Sequence, residues 1–312
     1  MPVRLLPVTD HASRVLLEGI VDYAGLFPPA TVTMPEAVRN FAHYRAGGAG
    51  WMLGRFVCSA SALSTFSQMA DPLLPRDAGA IPWRLTVTSS GDISADLASI
   101  AAFNERHRVC FEECGAFVDA YEVRVNSASE LTAIDAAIPR QLVTYLEVPF
   151  ASAHELLPRV ADVGRRAKMR TGGVSAEAFP SAQSVASFLQ TCIEHEIVAK
   201  ATAGLHHVLS GAYRLTYEAD APSGSMFGYL NMFLAAAILV QESDSVRAIQ
   251  MLDESDPSTL SIDEFQITWQ GPSGTTILDR ALLRRVREQV LVSFGSCSFT
   301  EPVDEIRAPG WI

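Results

Sequence analysis

The sequence predicts an α/β protein of the (βα)8-barrel class, and three observations lead there. Short apolar runs of strand length alternate with amphipathic runs of helix length. The strand-like runs are apolar nearly throughout, as a parallel sheet covered on both faces requires. Seven such units are complete by about residue 205, which suits a closed barrel better than an open sheet. The chain has 312 residues, a usual size for one barrel. The reading is therefore a single (βα)8 TIM-barrel domain over 1–312, with a helical insertion at about 210–285 between strands seven and eight.

In chain order, the first strand falls at Ile20–Gly25 and the second at Trp51–Cys58. Pro35 opens the helix between them, since proline suits a first turn. Strand three is Trp83–Thr88, and Asp92 caps a helix running to His107. Strand four is Asp119–Val125, followed by a helix from Ser127 to about Ile138. Strands five, six and seven are Leu142–Val148, Ala167–Arg170 and Val198–Thr202, with Ser152 and Ser181 as caps of the helices between them. Strand eight is placed at Val290–Gly295, with Ala248–Leu252 as the alternative. The first placement leaves an insertion holding a helix at Met226–Val240, a short strand at Phe265–Trp269 and a helix at Leu278–Val290. The Met226–Val240 run is apolar on every side, so it should be buried against the barrel or in a homo-oligomer interface.

Composition excludes several classes. A formal net charge of -11 repels phosphate backbones and argues against nucleic acid. The run Met226–Val240 is too short to span a bilayer, so no membrane role is expected. The N-terminal run breaks at Pro7 without the long apolar core of a secretory leader. Five cysteines make an odd set; Cys110 and Cys114 stand four apart, but no second pair completes a metal site. Reduced thiols in a cytoplasmic protein are the expectation. No glycine-rich phosphate loop occurs, and no cofactor is implied.

Active sites of such barrels lie at the C-terminal ends of the strands. Reading outward along each strand yields Asp22 on the first, Arg55 on the second, and Glu122, Arg124 and Asn126 on the fourth. Glu147 comes on the fifth, Lys168, Arg170 and Thr171 on the sixth, and Lys200, Thr202, His206 and His207 on the seventh. Charges in apolar strands are expensive unless paired, so their convergence marks a site. Lysine is the sharpest clue: of 24 Lys and Arg, only Lys168 and Lys200 are lysine. Arginine serves wherever charge alone suffices; a lysine offers in addition an amine that can lose its proton and act as nucleophile or base. Two amines on neighbouring strands, with Glu122 and Glu147 as counter-charge and proton carriers, equip a barrel for Schiff-base chemistry. In this reading an ammonium at one lysine disfavours a second beside it. Arg55, Arg124 and Arg170 are candidates to bind a carboxylate or phosphate of a small carbonyl substrate, or else to pair with the glutamates, with Asn126, Thr171, His206 and Asp22 as further substrate contacts.

At these residues the chain resembles the class I deoxyribose-phosphate aldolase family. The segments that carry the likeness are Lys168-Met169-Arg170-Thr171-Gly172-Gly173, Lys200-Ala201-Thr202-Ala203-Gly204, the pair Glu122 and Asn126, and Phe294-Gly295-Ser296-Cys297-Ser298. The resemblance implies a lyase in which Lys168 forms the Schiff base, Lys200 is the second lysine and Glu122 moves the proton. Departures are visible too: Arg170 stands where the family has a small polar residue, Glu122 replaces an aspartate, and His206-His207 follows strand seven.

Two other readings remain at this point. A divalent-metal hydrolase or lyase could use His206 or His207 with Glu147 and Asp22, although the His-x-His of barrel hydrolases is missing from strand one. A non-catalytic binding barrel is the third. It would lack a preformed pocket onto which a lysine opens.

Overall fold

A computed structural model describes residues 11–77, 79–107 and 115–312. Cys110 and Cys114 lie outside them. After a short helix α1 (Ala12–Leu17) the chain runs β1 (Val21–Tyr23), α2 (Met34–Ala46), β2 (Leu53–Ser59), α3 (Leu63–Ala70), β3 (Trp83–Thr88), α4 (Ile93–His107), β4 (Ala116–Arg124) and α5 (Ala128–Ala137). It continues β5 (Val143–Glu147), α6 (Ala153–Asp162), β6 (Arg166–Arg170), α7 (Ala182–Glu194) and β7 (Ala199–Thr202). An excursion follows: β8 (Gly211–Arg214), β9 (Ser223–Met226), α8 (Tyr229–Glu242), α9 (Ser245–Leu252), β10 (Leu260–Ile262), β11 (Gln266–Gly271), β12 (Gly274–Asp279) and α10 (Arg280–Gln289). The chain ends in β13 (Leu291–Ser296) and α11 (Thr300–Arg307).

Eight strands close into a parallel barrel in the order β1-β13-β7-β6-β5-β4-β3-β2, as the alternation predicts. Val290–Gly295 supplies the eighth barrel strand as β13, and the alternative, Ala248–Leu252, is helical within α9. The reason is local: Asp244 caps that helix by accepting from the N–H groups of Val246 and Arg247. Ser127 and Ser181 cap α5 and α7 in the same way. Ser152 precedes α6 but its hydroxyl makes no cap hydrogen bond.

The excursion holds more strand than the sequence suggests. β8 and β9 form an antiparallel pair, and β10, β11 and β12 form an antiparallel sheet. α8 packs against α7, α9, α10, β12 and β13, and Leu230, Phe233 and Leu234 are fully buried there within the chain itself. Its position explains its composition. One side faces the barrel, where Tyr229 stacks on Phe294 of β13 at 4.8 Å between ring centres. The other side is covered by α9, α10 and β12, so every face is apolar. Its buried Asn231 is satisfied by the carbonyls of Met251 and Glu254 and by the N–H of Ser210. Among the described residues no helix is long and apolar enough to cross a membrane.

Candidate active site

The barrel interior is charged along its axis, and the strand register places those charges. Lys168 pairs with Lys200 across β6 and β7, and Glu147 with Lys168 across β5 and β6. Glu122 on β4 is paired with Thr88 on β3. Side chains two apart on a strand share a face, so Glu122, Lys168 and Lys200 meet inside the barrel. Lys168 Nζ lies 2.6 Å from Glu122 Oε2 and 2.9 Å from Glu147 Oε2. Lys200 Nζ lies 2.5 Å from Asp22 Oδ2 and 2.7 Å from Glu122 Oε1. Glu122 thus bridges the two ammonium groups with one oxygen each.

The two lysines differ in access. Lys200 is 1% exposed and Lys168 7%. Lys168 lines a cavity of about 250 Å³ at the C-terminal ends of the strands, together with Glu122, Glu147, Arg170, Thr202 and His206. Lys200 and Asp22 lie beneath it. Three larger hollows, about 300 Å³ beside α3 and α4, about 680 Å³ beside the β8–β9 pair and about 340 Å³ beside α10, hold no cluster of buried charge.

Asp22 is fully buried and held by three donors in all. It accepts from the Arg55 N–H at 2.9 Å and the Ser293 hydroxyl at 3.0 Å, and from Lys200. Burial alone would raise its carboxyl; Lys200 and Arg55 more than offset this and hold it below the ordinary value. The same competition acts on Glu122, where burial is outweighed by Lys168 and Lys200 and the carboxyl sits at about 2. For Lys200 burial opposes the charge, but Asp22 and Glu122 prevail and raise it. Lys200 is a permanent ammonium at neutral pH.

The structure corrects one expectation about charge. Sequence reasoning made the Lys200 ammonium the neighbour that disfavours a second ammonium at Lys168. With Glu122 bridging them, the immediate neighbours of both are carboxylates: Asp22, Glu122 and Glu147 face two ammonium groups.

The remaining candidates divide clearly. Arg170, the last residue of β6, is on the cavity wall, and so is His206. Arg124, Asn126 and Thr171 are not. Arg124 is exposed and donates to Asn126, which in turn is held by Glu130. The Thr171 hydroxyl donates to the carbonyls of Ala203 at 2.8 Å and Thr202 at 3.2 Å. It pins a turn in which Ala203 and Gly204 both have positive φ, 66° and 72°. That turn is what returns the chain to the cavity at His206. Arg55 lies lower in the barrel and binds Asp119 with both arms of its fork, at 2.7 and 3.0 Å.

The histidine pair is split. His207 stacks on Tyr213 and meets Glu305 at 2.6 Å, whereas His206 approaches Ser296 at 3.3 Å and Cys297 at 3.7 Å. The metal set anticipated around them with Glu147 and Asp22 is not assembled. Among the described residues no group of three His, Cys, Asp or Glu is arranged to hold a metal ion. Burial and the neighbouring His207 push the His206 imidazole down to about 4.

Several contributors escaped sequence reasoning. Ser293 fastens Asp22, and the Tyr145 ring lies 5.4 Å from Lys200 Nζ. Phe27 and Pro28, in the loop after β1, line the cavity with Cys297. Strand parity could have singled out Ser293, two residues before Gly295 on the same face.

No known protein-family profile matches the chain, and no curated protein does. Among solved structures, the tetrameric deoxyribose phosphate aldolase of Aeropyrum pernix is similar with a TM-score of 0.42 at 14% identity, covering 65% of this chain and 87% of that one.

Proposed function

We propose that the protein is a lyase of the class I aldolase type, in which Lys168 forms a Schiff base with a small carbonyl compound. One observation carries this reading. Lys168, and not Lys200, lines the preformed cavity, and it does so with a carboxylate on either side. A binding barrel without chemistry would have no use for an amine so placed, and arginine would serve as a structural cation.

The steps follow from the contacts. Lys168 passes a proton to Glu147, which has one ammonium neighbour, whereas Glu122 is committed to two. The freed lone pair attacks the carbonyl carbon, and the carbonyl oxygen takes the proton from Glu147. The nitrogen then returns a proton to a carboxylate, which delivers it to the departing hydroxyl as water leaves. The net change is ammonium plus carbonyl to iminium plus water, so the carboxylates act only as shuttles. The iminium accepts the electron pair of the adjacent carbon–carbon bond as that bond breaks, and the leaving fragment's hydroxyl proton goes to a carboxylate. The iminium keeps the positive charge at the Lys168 nitrogen, so Glu122 and Glu147 both stay ionised beside it, and either can take this proton.

The test is borohydride reduction in the presence of small aldehydes and ketoacids, with peptide mapping by mass spectrometry. The expected adduct is on Lys168. An adduct on Lys200 would reverse the roles. If a compound that the protein turns over labels neither lysine, the Schiff-base reading is wrong. Lys168→Arg keeps the charge and should lower activity by several orders of magnitude while the protein still folds; near-normal turnover in that variant would also overturn the reading.

A further inference from the structure

Arg170 is the charged group of the cavity wall whose charge the structure leaves unanswered. Glu122, Glu147 and Lys168 answer one another, but among the described residues Arg170 has no hydrogen bond or ion pair. Arg170 is exposed at the end of β6, and exposed arginines such as Arg39 and Arg159 are likewise unpaired among the described residues. What sets Arg170 apart is its place on the cavity wall, whereas arginines that tie elements together are paired. Arg55, Arg140 and Arg165 each bind a carboxylate at 2.7 to 2.8 Å. Arg170 follows Lys168 by two residues on β6, so the two side chains leave the same face of one strand about 6.6 Å apart. A ligand joined to Lys168 through its carbonyl carbon therefore has the guanidinium within a few bonds.

Resting on the Schiff-base reading of this site, we propose that its substrates are short oxo acids, with a single carboxylate held by the fork of Arg170. Charge selects the carboxylate over a phosphate. Asp22, Glu122 and Glu147 against Lys168 and Lys200 already leave one negative charge, so the single positive charge of Arg170 is all the wall offers an anion. A carboxylate adds one charge and fits the planar guanidinium with two parallel hydrogen bonds. A phosphate monoester brings roughly -1.5 to -2 at neutral pH into a wall with two glutamates and no spare ammonium, since the chain's two lysines are both engaged. Size agrees: about 250 Å³ is below the range of roughly 300–1,000 Å³ that holds drug-sized ligands.

Borohydride labelling of Lys168 tests this with pyruvate, the neutral ketone hydroxyacetone and glyceraldehyde 3-phosphate, on the wild type, Arg170→Ala and Arg170→Lys. Comparing each probe between proteins cancels its intrinsic reactivity. Arg170→Ala should reduce labelling by pyruvate at least tenfold more than labelling by hydroxyacetone, and Arg170→Lys should restore part of the difference. Equal losses for both probes would overturn the carboxylate assignment while leaving the Schiff base in place. A larger loss for glyceraldehyde 3-phosphate than for pyruvate would overturn it in favour of a phosphate. If no carbonyl labels the wild type, the Schiff-base reading fails, and calorimetry with pyruvate then decides the anion site separately. Binding that Arg170→Ala weakens tenfold would uphold it, and binding that is unchanged or absent in both proteins would overturn it.

Discussion

His206 shows how one residue ties the cavity to the acid stability of the fold. Its imidazole sits at about 4 against an ordinary 6.5, because burial and His207 disfavour the imidazolium. The unfolded chain binds the proton near 6.5 and the folded chain only near 4, so between those values the unfolded state carries more protons. The stabilising contribution is therefore full above pH 6.5 and is lost as pH falls towards 4. His206→Gln should flatten this part of the profile, measured as the wild-type-minus-variant difference in urea unfolding free energy from pH 7.5 to 4. Parallel curves would refute it. Glu122 acts in a lower window: its carboxyl lies at about 2 against 4.5, so its contribution is intact above 4.5 and lost only as pH falls to 2. Single residues of this kind were partly visible in the sequence. The two lysines stood out because arginine replaces lysine everywhere else. Glu122, Glu147 and Asp22 stood out as charges within apolar strands. The destinations of Arg124 and Thr171 did not, since a side chain at a strand end can turn to the cavity, to a neighbouring loop or to solvent, and only packing decides.

At the scale of elements, α8 is the clearest case of a sequence signal with a physical cause. An apolar run with no polar face cannot lie on a surface, and the chain covers it from both sides. Phe233 is fully buried at its centre, with the Arg287 guanidinium 5.4 Å from its ring. Phe233→Ala should cost about 3–5 kcal/mol through lost burial and the cavity left behind. The check is a lower denaturation midpoint with an unchanged denaturant slope; a loss below about 1 kcal/mol would mean that the helix repacks or contributes little. The small sheets of the excursion were mostly hidden. β9 reads Ser223-Gly224-Ser225-Met226, which has neither strand propensity nor alternation, and it pairs with β8 because tertiary position overrides propensity. β11 was visible because Gln266–Gly271 alternates around Ile267 and Trp269, both buried. Ala248–Leu252 was ambiguous for the opposite reason: a short apolar run suits a buried strand and a buried helix equally.

For the whole molecule, the ion network also closes the barrel. β1 has only three residues, and it must pair with β2 on one side and β13 on the other. Its middle residue, Asp22, reaches past β13 to Lys200 on β7, 178 positions along the chain, and takes Ser293 of β13 on the way. Three adjacent strands at the seam are thus tied through one carboxylate. Buried pairs of this type seldom add net stability over an apolar packing, but removing one partner strands the other without solvent, at about 3–5 kcal/mol. Lys200→Met leaves Asp22 fully buried without its ammonium, and Asp22→Asn leaves Lys200 with Glu122 alone. Each single change should destabilise the fold strongly. The double variant removes both charges, so its loss should fall short of the sum of the singles by about 0.5–3 kcal/mol. Urea unfolding of the four proteins at pH 7 measures that difference directly. Simple additivity would mean that the two groups do not depend on each other, and the seam would then be held by β1's backbone pairing and its apolar neighbours rather than by the charge at its centre.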